Sequence, residues 1–511
     1  MNDSSPLNIY APSLYWFSYF VFDGLTIAVD GDNQPAATDE EQPAIDLHWV
    51  KHQYEQIFTA FDLQITLDLV DPTSPQSYNL LKANYPTEPG TKRKRQQTFK
   101  TKTGLNGFIY PQAINDTYAL NLRVAFPEQY GADQYSYQDL QKLNPAHCFQ
   151  SSITNRAELL GQTLLLTVYL NQSPPLNPRD LDQAAKDCWC AFFNIEQADI
   201  AKFPRLYRVA PCCNGYLYEF GNPRETVNEN PYGHLLILFM FDQSTTKLLN
   251  KFYWSLPNLL LYRHKISNTF RQSRLFYQTA DQIVNKNEQT FNTLKQGYLI
   301  RENNQLLSEL ALNDLKNQLK ALLRLSLAYS HQLRNLEYAR NTIAINHRNY
   351  LATLDTMEQL AAEEKMGQLA PMPLTALRVF GEKEAVTFQD QITADLNYFR
   401  HGSGLLDTAI NSIRGLVEID QAERDRARQA QEIQSDRTLQ NMIGAIGGGL
   451  GVAGVTATAY PYYKNPDPTS SLAPIAEVVG VSLGLGFLAA IILSVLSQRL
   501  RSLLHRNDSK D

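Results

Sequence analysis

No lysine, arginine, aspartate or glutamate occurs between Thr438 and Tyr463, and none between Val478 and Gln498. Disulfide-forming cysteine is scarce as well. The five cysteines (Cys148, Cys188, Cys190, Cys212, Cys213) are odd in number and crowded into close pairs, which excludes an obvious disulfide framework. Neither Cys188-x-Cys190 nor Cys212-Cys213 has the C-x₂-C spacing of a zinc knuckle. Buried free thiols are the favoured reading, with a metal shared between the two pairs as the alternative. There is no excess of positive charge. With 46 basic against 52 acidic residues the net charge is -6, which argues against nucleic acid as the main partner. No P-loop, G-x-S-x-G, H-E-x-x-H or EF-hand pattern and no internal repeat is present, and His147 has no companion at ligand spacing. An enzyme is not expected, no cofactor is implied, and any metal stays unknown. The apolar run at 14–22, LYWFSYFVF, lacks a basic flank and ends at Asp23-Gly24, so it reads as a strand and not as an export signal.

Within the first charge-free stretch, Gly449-Leu450-Gly451-Val452-Ala453-Gly454 spells G-x-G-x-x-G. A dinucleotide loop needs a strand before it and a helix after it. Here a highly charged, helix-forming segment (420–437) precedes it, and Pro461, Pro466 and Pro468 break any helix that would follow. The 26 residues of 438–463 would instead extend about 39 Å as a helix at roughly 1.5 Å per residue, enough to cross a bilayer. A second uncharged run of 21 residues, 478–498, follows a short loop. The two form a transmembrane hairpin, with Tyr460, Tyr462 and Tyr463 at the depth of an interfacial aromatic belt. Gly444 and Gly448, Gly447 and Gly451, and Gly480 and Gly484 are each four apart, the spacing that lets membrane helices approach closely. Arg499, Arg501, Arg506 and Lys510 crowd the tail, while Lys464 is offset by Asp467 in the loop. The positive-inside rule then leaves both termini in the cytoplasm of a cell (inner) membrane protein.

Upstream, a heptad of Leu315, Leu322, Tyr329, Leu336, Ile343, Tyr350 and Met357 predicts a long helix packed against partner helices. Its companion seam is interrupted by Ser326, Arg340 and His347. This helix should stop near Gly367, before Pro371 and Pro373. Another begins near Glu384, is weakened at Gly402-Ser403-Gly404, and runs without proline into the first membrane segment. The first 300 residues read as mixed α/β. Strands are expected at 14–22, 62–70, 118–125, 163–171 and 234–242, and helices at 46–61, 179–195 and 244–285. The stretches 33–43 and 71–104 read as loops. Within the latter, TKRKRQQTFKTK (91–102) is an exposed basic segment, or a holder of anions or lipid headgroups.

The expected fold is therefore an α+β membrane protein. A cytoplasmic α/β domain (1–300) leads to long stalk helices (301–437), a transmembrane helix (438–463), an external loop (464–472), a second transmembrane helix (473–498) and a basic cytoplasmic tail (499–511). This order resembles the CorA family of divalent-cation channels, in which five chains form a funnel and the first membrane helix lines the pore. The resemblance implies a homo-oligomer, a pentamer, embedded in membrane lipid and passing inorganic ions. The family's Gly-Met-Asn filter is absent; Ala459-Tyr460-Pro461-Tyr462 stands in its place, so no filter residue carries over and strong magnesium selectivity is not expected. At 100° per residue, Asn441, Gly448, Val452 and Thr456 share one face of the first membrane helix, either a pore lining or a packing seam. Glu477 reads as an interfacial carboxylate. Two functions compete: an ion channel or transporter gated by its cytoplasmic domain, and a membrane-anchored sensor or effector whose cytoplasmic domain binds a nucleotide-like or protein ligand.

Overall fold

The computed structural model describes residues 9–22, 45–71, 78–82, 96–127, 133–149, 159–170, 177–195, 199, 203–225, 230–294, 309–364 and 374–427. The chain divides into two compact units, Met1–Leu416 and Val417–Asp511. Of the second unit only the end of one helix is described.

The first unit is a mixed α+β structure: a large sheet followed by long helices. In chain order, β1 (Ile9–Val21) is followed by α1 (Leu47–Ala60), β2 (Tyr78–Asn79), β3 (Gln97–Lys100), β4 (Asn106–Ile109), β5 (Gln112–Ile114), β6 (Thr117–Ala125) and β7 (Gln134–Tyr135). Then come β8 (Leu159–Leu170), α2 (Pro178–Phe192), β9 (Leu206–Cys212), β10 (Gly215–Phe220), β11 (His234–Met240) and α3 (Gln243–Phe252). The helices α4 (Leu256–Leu294), α5 (Glu309–Glu364), α6 (Thr375–Val379) and α7 (Val386–Ala427) complete the described chain, with a π turn, Phe380–Ala385, joining the last two.

The strands form a sheet of 11, ordered β2-β5-β6-β1-β8-β11-β10-β9 along its main path. All pairings are antiparallel except β8 with β11. β1 is central because it is apolar on both faces: Leu14, Trp16 and Phe20 point one way, Tyr15, Phe17 and Tyr19 the other. A strand covered on both sides reads as a continuous apolar run rather than an alternation. The first face packs α1 and α2 through Tyr54, Phe58 and Trp189. The second packs the helical layer through Leu260, Leu336, Ile343 and Phe399. Helix starts are fixed locally. Asp46 accepts from the Trp49 amide, Asn177 caps α2 ahead of Pro178, and Asp242 accepts from the Ser244 and Thr245 amides.

Five expectations about elements change. The stretch 62–70 is not a strand; it opens on a turn at Asp62, and among the described residues its one ladder contact is the bridge Leu69–Leu81. The helix expected over 244–285 is two helices, broken at Tyr253–Ser255, because Pro257 lacks an amide proton and fits only a first turn. The segment 71–104 is not all loop, since β2 and β3 lie within it. Part of the basic run is thereby ordered, and Lys102 pairs with Asp62. The hairpin β9–β10 was not expected. Pro211 and the exposed Leu206 and Val209 mark β9 as an edge strand, and Cys213 and Asn214, both at positive φ, make its two-residue turn. Finally, the helix expected from Glu384 starts earlier, with α6 and the π turn.

The heptad is buried along its whole length: Leu315, Leu322, Tyr329, Leu336, Ile343, Tyr350 and Met357 are at most 2% exposed. Tyr350 donates to the Leu377 carbonyl at 2.7 Å, and Phe270 of α4 stacks on Phe388 of α7 with centroids 3.9 Å apart. Among the described residues no helix is long and apolar enough to cross a membrane. The proposed spans 438–463 and 473–498, their loop and the basic tail lie outside the described residues, as do 33–43.

Candidate functional site

On the face of the sheet that packs against α4, a polar cluster spans four neighbouring strands. Thr163 of β8 is opposite His234 of β11, Glu219 of β10 pairs with Leu236, two residues along β11 from His234, and Arg208 of β9 pairs in register with Glu219. Glu219 is an isolated acid in the apolar strand Gly215–Phe220 and is 6% exposed. A carboxylate so placed demands partners. Arg263 of α4 donates to its Oε1 at 2.6 Å, His234 Nε2 lies 3.1 Å from the same atom, and Arg208 lies 3.7 Å from Oε2. Burial alone would raise its pKa, but Arg263, the His234 hydrogen bond and Arg208 outweigh it and hold the carboxyl at about 2.

The same burial, with Arg263 beside it, lowers His234 to about 4, and lowers His264 well below 6.5. Both rings are therefore neutral at pH 7. The hydrogen-bond directions follow. His234 Nε2–H donates to Glu219, leaving Nδ1 to accept from the Thr163 hydroxyl at 3.0 Å; that hydroxyl accepts from His264 Nε2–H at 2.8 Å. The cluster reaches the helical layer through Glu384 in the π turn. Arg208 lies 3.3 Å from its Oε1, and Tyr207 donates to the same oxygen at 2.5 Å. A π turn inserts a residue and re-aims the side chains it carries, here placing Glu384 at the sheet edge.

Beside this cluster is a pocket of about 60 Å³, several times the roughly 10–15 Å³ that one water needs. Its walls are the start of β8, the turn after β10 and one face of α4, which contributes Arg263, His264, Ser267 and Arg271. Arg263, Ser267 and Arg271 are four residues apart and so share a helix face. Glycine is required at Gly161, whose φ is +151° and where a Cβ would meet His264 Nδ1 at 2.3 Å. It is equally required at Gly221, with φ +89° and an added Cβ 2.5 Å from Asn230 Nδ2. Burial, then Arg263, lowers Arg271 to about 10, leaving it a cation at neutral pH.

The candidates read from sequence fall elsewhere. Asn441, Gly448, Val452 and Thr456, and the packing glycines Gly444, Gly447, Gly451, Gly480 and Gly484, lie outside the described residues. The two cysteine pairs do not meet around a metal: Cys188 is on the α1–α2 side of the sheet and Cys212 and Cys213 on the other. All five thiols are free, with Cys148 and Cys190 only half-buried. Among the described residues no group of three or more His, Cys, Asp or Glu side chains could hold a metal ion.

The sequence reading missed the buried cluster. Its available signals were a lone acid in YLYEF, a histidine opening an apolar strand, and the four-residue spacing of Arg263, Ser267 and Arg271. No family model matches the chain, and no curated protein matches it in sequence. A solved structure described as the complete CorA magnesium transporter from Methanocaldococcus jannaschii aligns at 12% identity over 68% of this chain and 93% of that one, with a TM-score of 0.11. A superposition that poor carries no weight for fold or function.

Proposed function

We propose that the chain is an oligomeric two-span membrane ion conductor of CorA-like plan, controlled by its N-terminal unit and not strongly selective for magnesium. The observation that carries this reading is α7. It starts at the π turn whose Glu384 is ion-paired into the buried cluster, and it runs unbroken to Ala427, with ten residues between it and the charge-free segment that opens at Thr438. A helix with one end linked through Glu384, Arg208, Glu219 and Arg263 to a pocket, and the other leading toward a membrane-length segment, is a means of coupling binding to a pore.

In this reading the segments 438–463 and 473–498 cross the cell (inner) membrane, with the N-terminal unit and tail in the cytoplasm. Asn441, Gly448, Val452 and Thr456 face permeating ions, and the spaced glycines let neighbouring chains of a pentamer pack closely. Such a lining offers neutral oxygens and a small apolar girdle, not the concentrated negative charge that draws in a strongly hydrated divalent cation.

The test is flux from proteoliposomes carrying the full chain, compared for magnesium, potassium and chloride. Cation flux above empty vesicles, without a large preference for magnesium, is expected. Flux equal to empty vesicles with the protein inserted refutes conduction. It would favour the second reading, which the pocket supports by itself: a membrane-anchored sensor whose N-terminal unit binds a ligand.

A further inference from the structure

The pocket's wall on α4 has more positive charge and hydrogen-bonding capacity than the protein uses. Ser267 is 1% exposed, lines the pocket, and its hydroxyl has no hydrogen-bond partner among the described residues. A buried hydroxyl without a partner is destabilising, and one that lines a cavity is placed to bond to whatever fills it. One helical turn on, the half-buried Arg271 donates to the Glu225 carbonyl at 2.9 Å, and no carboxylate pairs with it among the described residues. One turn back, Arg263 spends one amino group on Glu219. Each of the two guanidinium groups is therefore left with further N–H donors, and Arg263 lowers the pKa of Arg271, as like charges on one wall do. The single carboxylate of the lining, Glu225, is turned to its own loop, accepting from the Asn222 amide at 3.0 Å.

From this geometry we infer that the pocket binds a phosphate group, held between Arg263 and Arg271 with the Ser267 hydroxyl donating to a third oxygen. The planar guanidinium fork matches the spacing of phosphate oxygens, and charge-assisted bonds are roughly twice as strong as neutral ones. The room available, about 60 Å³, suits a phosphate group and not a whole nucleotide, whose remainder would extend out of the pocket. A divalent cation lacks the donor set, since no three acidic or imidazole groups converge among the described residues. The assignment rests on the pocket alone; only its consequence, that phosphate alters conduction, rests on the function proposed above.

Titration calorimetry on the purified full chain decides it, with inorganic phosphate, adenosine monophosphate and magnesium chloride as separate probes. The phosphate and nucleotide arms distinguish a free ion from a phosphate carried on a larger molecule. Saturable binding of at least one of them is expected, and none of magnesium. Affinity should fall about tenfold in Arg271→Gln and several-fold in Ser267→Ala, in line with the loss of charge-assisted hydrogen bonds. It should be unchanged in Lys286→Gln, a surface control. Ser267→Ala removes a hydroxyl with no protein partner among the described residues, so it keeps the fold and the test remains decisive if Arg271→Gln misfolds. No saturable binding of either anion, or the same affinity in wild type and Ser267→Ala, overturns the assignment. Binding that persists while phosphate leaves ion flux unchanged supports the site and overturns its link to conduction.

Discussion

Replacing Glu219 with glutamine keeps the shape of the buried cluster and removes its charge. Glu219 faces Arg263 at 2.6 Å, Arg208 at 3.7 Å and His234 at 3.1 Å, all nearly out of water. In Glu219→Gln, Arg263 stays buried without a counter-charge, and Arg208 keeps only Glu384. Breaking a buried pair from one side costs about 3–5 kcal/mol, because the surviving charge has lost its solvent and its partner. Urea unfolding followed by tryptophan fluorescence reads the loss, since Trp16 and Trp189 are fully buried. Adding Arg263→Met should recover part of it, because the stranded cation is then gone; additive losses would mean that the two residues are not coupled. A loss below about 1 kcal/mol in Glu219→Gln, the value of an exposed pair, would refute the claim that this network is desolvated and holds the sheet to α4.

Three further outcomes follow from the same geometry. Stability should fall with acidification, beginning below pH 6.5: the unfolded chain protonates His234 there, the folded chain only near 4, and at about 1.4 kcal/mol per pH unit the difference reaches roughly 3 kcal/mol. Glu219, ordinarily near 4.5 and held at about 2, extends the loss further down. In a pH series of unfolding curves, His234→Asn should make the fall between 6.5 and 4 shallower without abolishing it, because the buried His264 is also held well below 6.5. Gly161→Ala should destabilise by more than the roughly 1 kcal/mol of an ordinary glycine substitution, since the new Cβ would sit 2.3 Å from His264 Nδ1 at a φ of +151°; an unchanged melting temperature would contradict this. Gly448→Leu should lower the oligomeric state in detergent, read by mass measurement, if the spaced glycines bring neighbouring chains together.

The long strands could be read from the chain because burial on both faces leaves predominantly apolar runs, as in β1, β6, β8 and β11. The heptad of α5 was legible for the same reason: one face buried over the whole helix forces one residue type at a fixed interval. The stretch 62–70 misled because alternation reports sidedness, not pairing. Leu67 is buried and Gln64 and Thr66 are exposed, as in a strand, yet the segment runs alongside the sheet with a single bridge. The edge strand β9 was illegible because Pro211 and its exposed residues leave little apolar signal. The buried cluster could not be assembled from the sequence at all. Its members, from Thr163 to Glu384, are brought together by sheet register and by a π turn, neither of which composition or local periodicity encodes.

The central claim, that the charge-free segment after α7 lines an ion path, is tested most directly by electrical recording from planar bilayers containing the full chain with Thr456→Cys. The account predicts discrete cation currents that fall when a charged thiol reagent is added, and wild-type currents that the reagent leaves unchanged. Absence of current from inserted protein, or currents in Thr456→Cys indifferent to the reagent after confirmed modification, would contradict it.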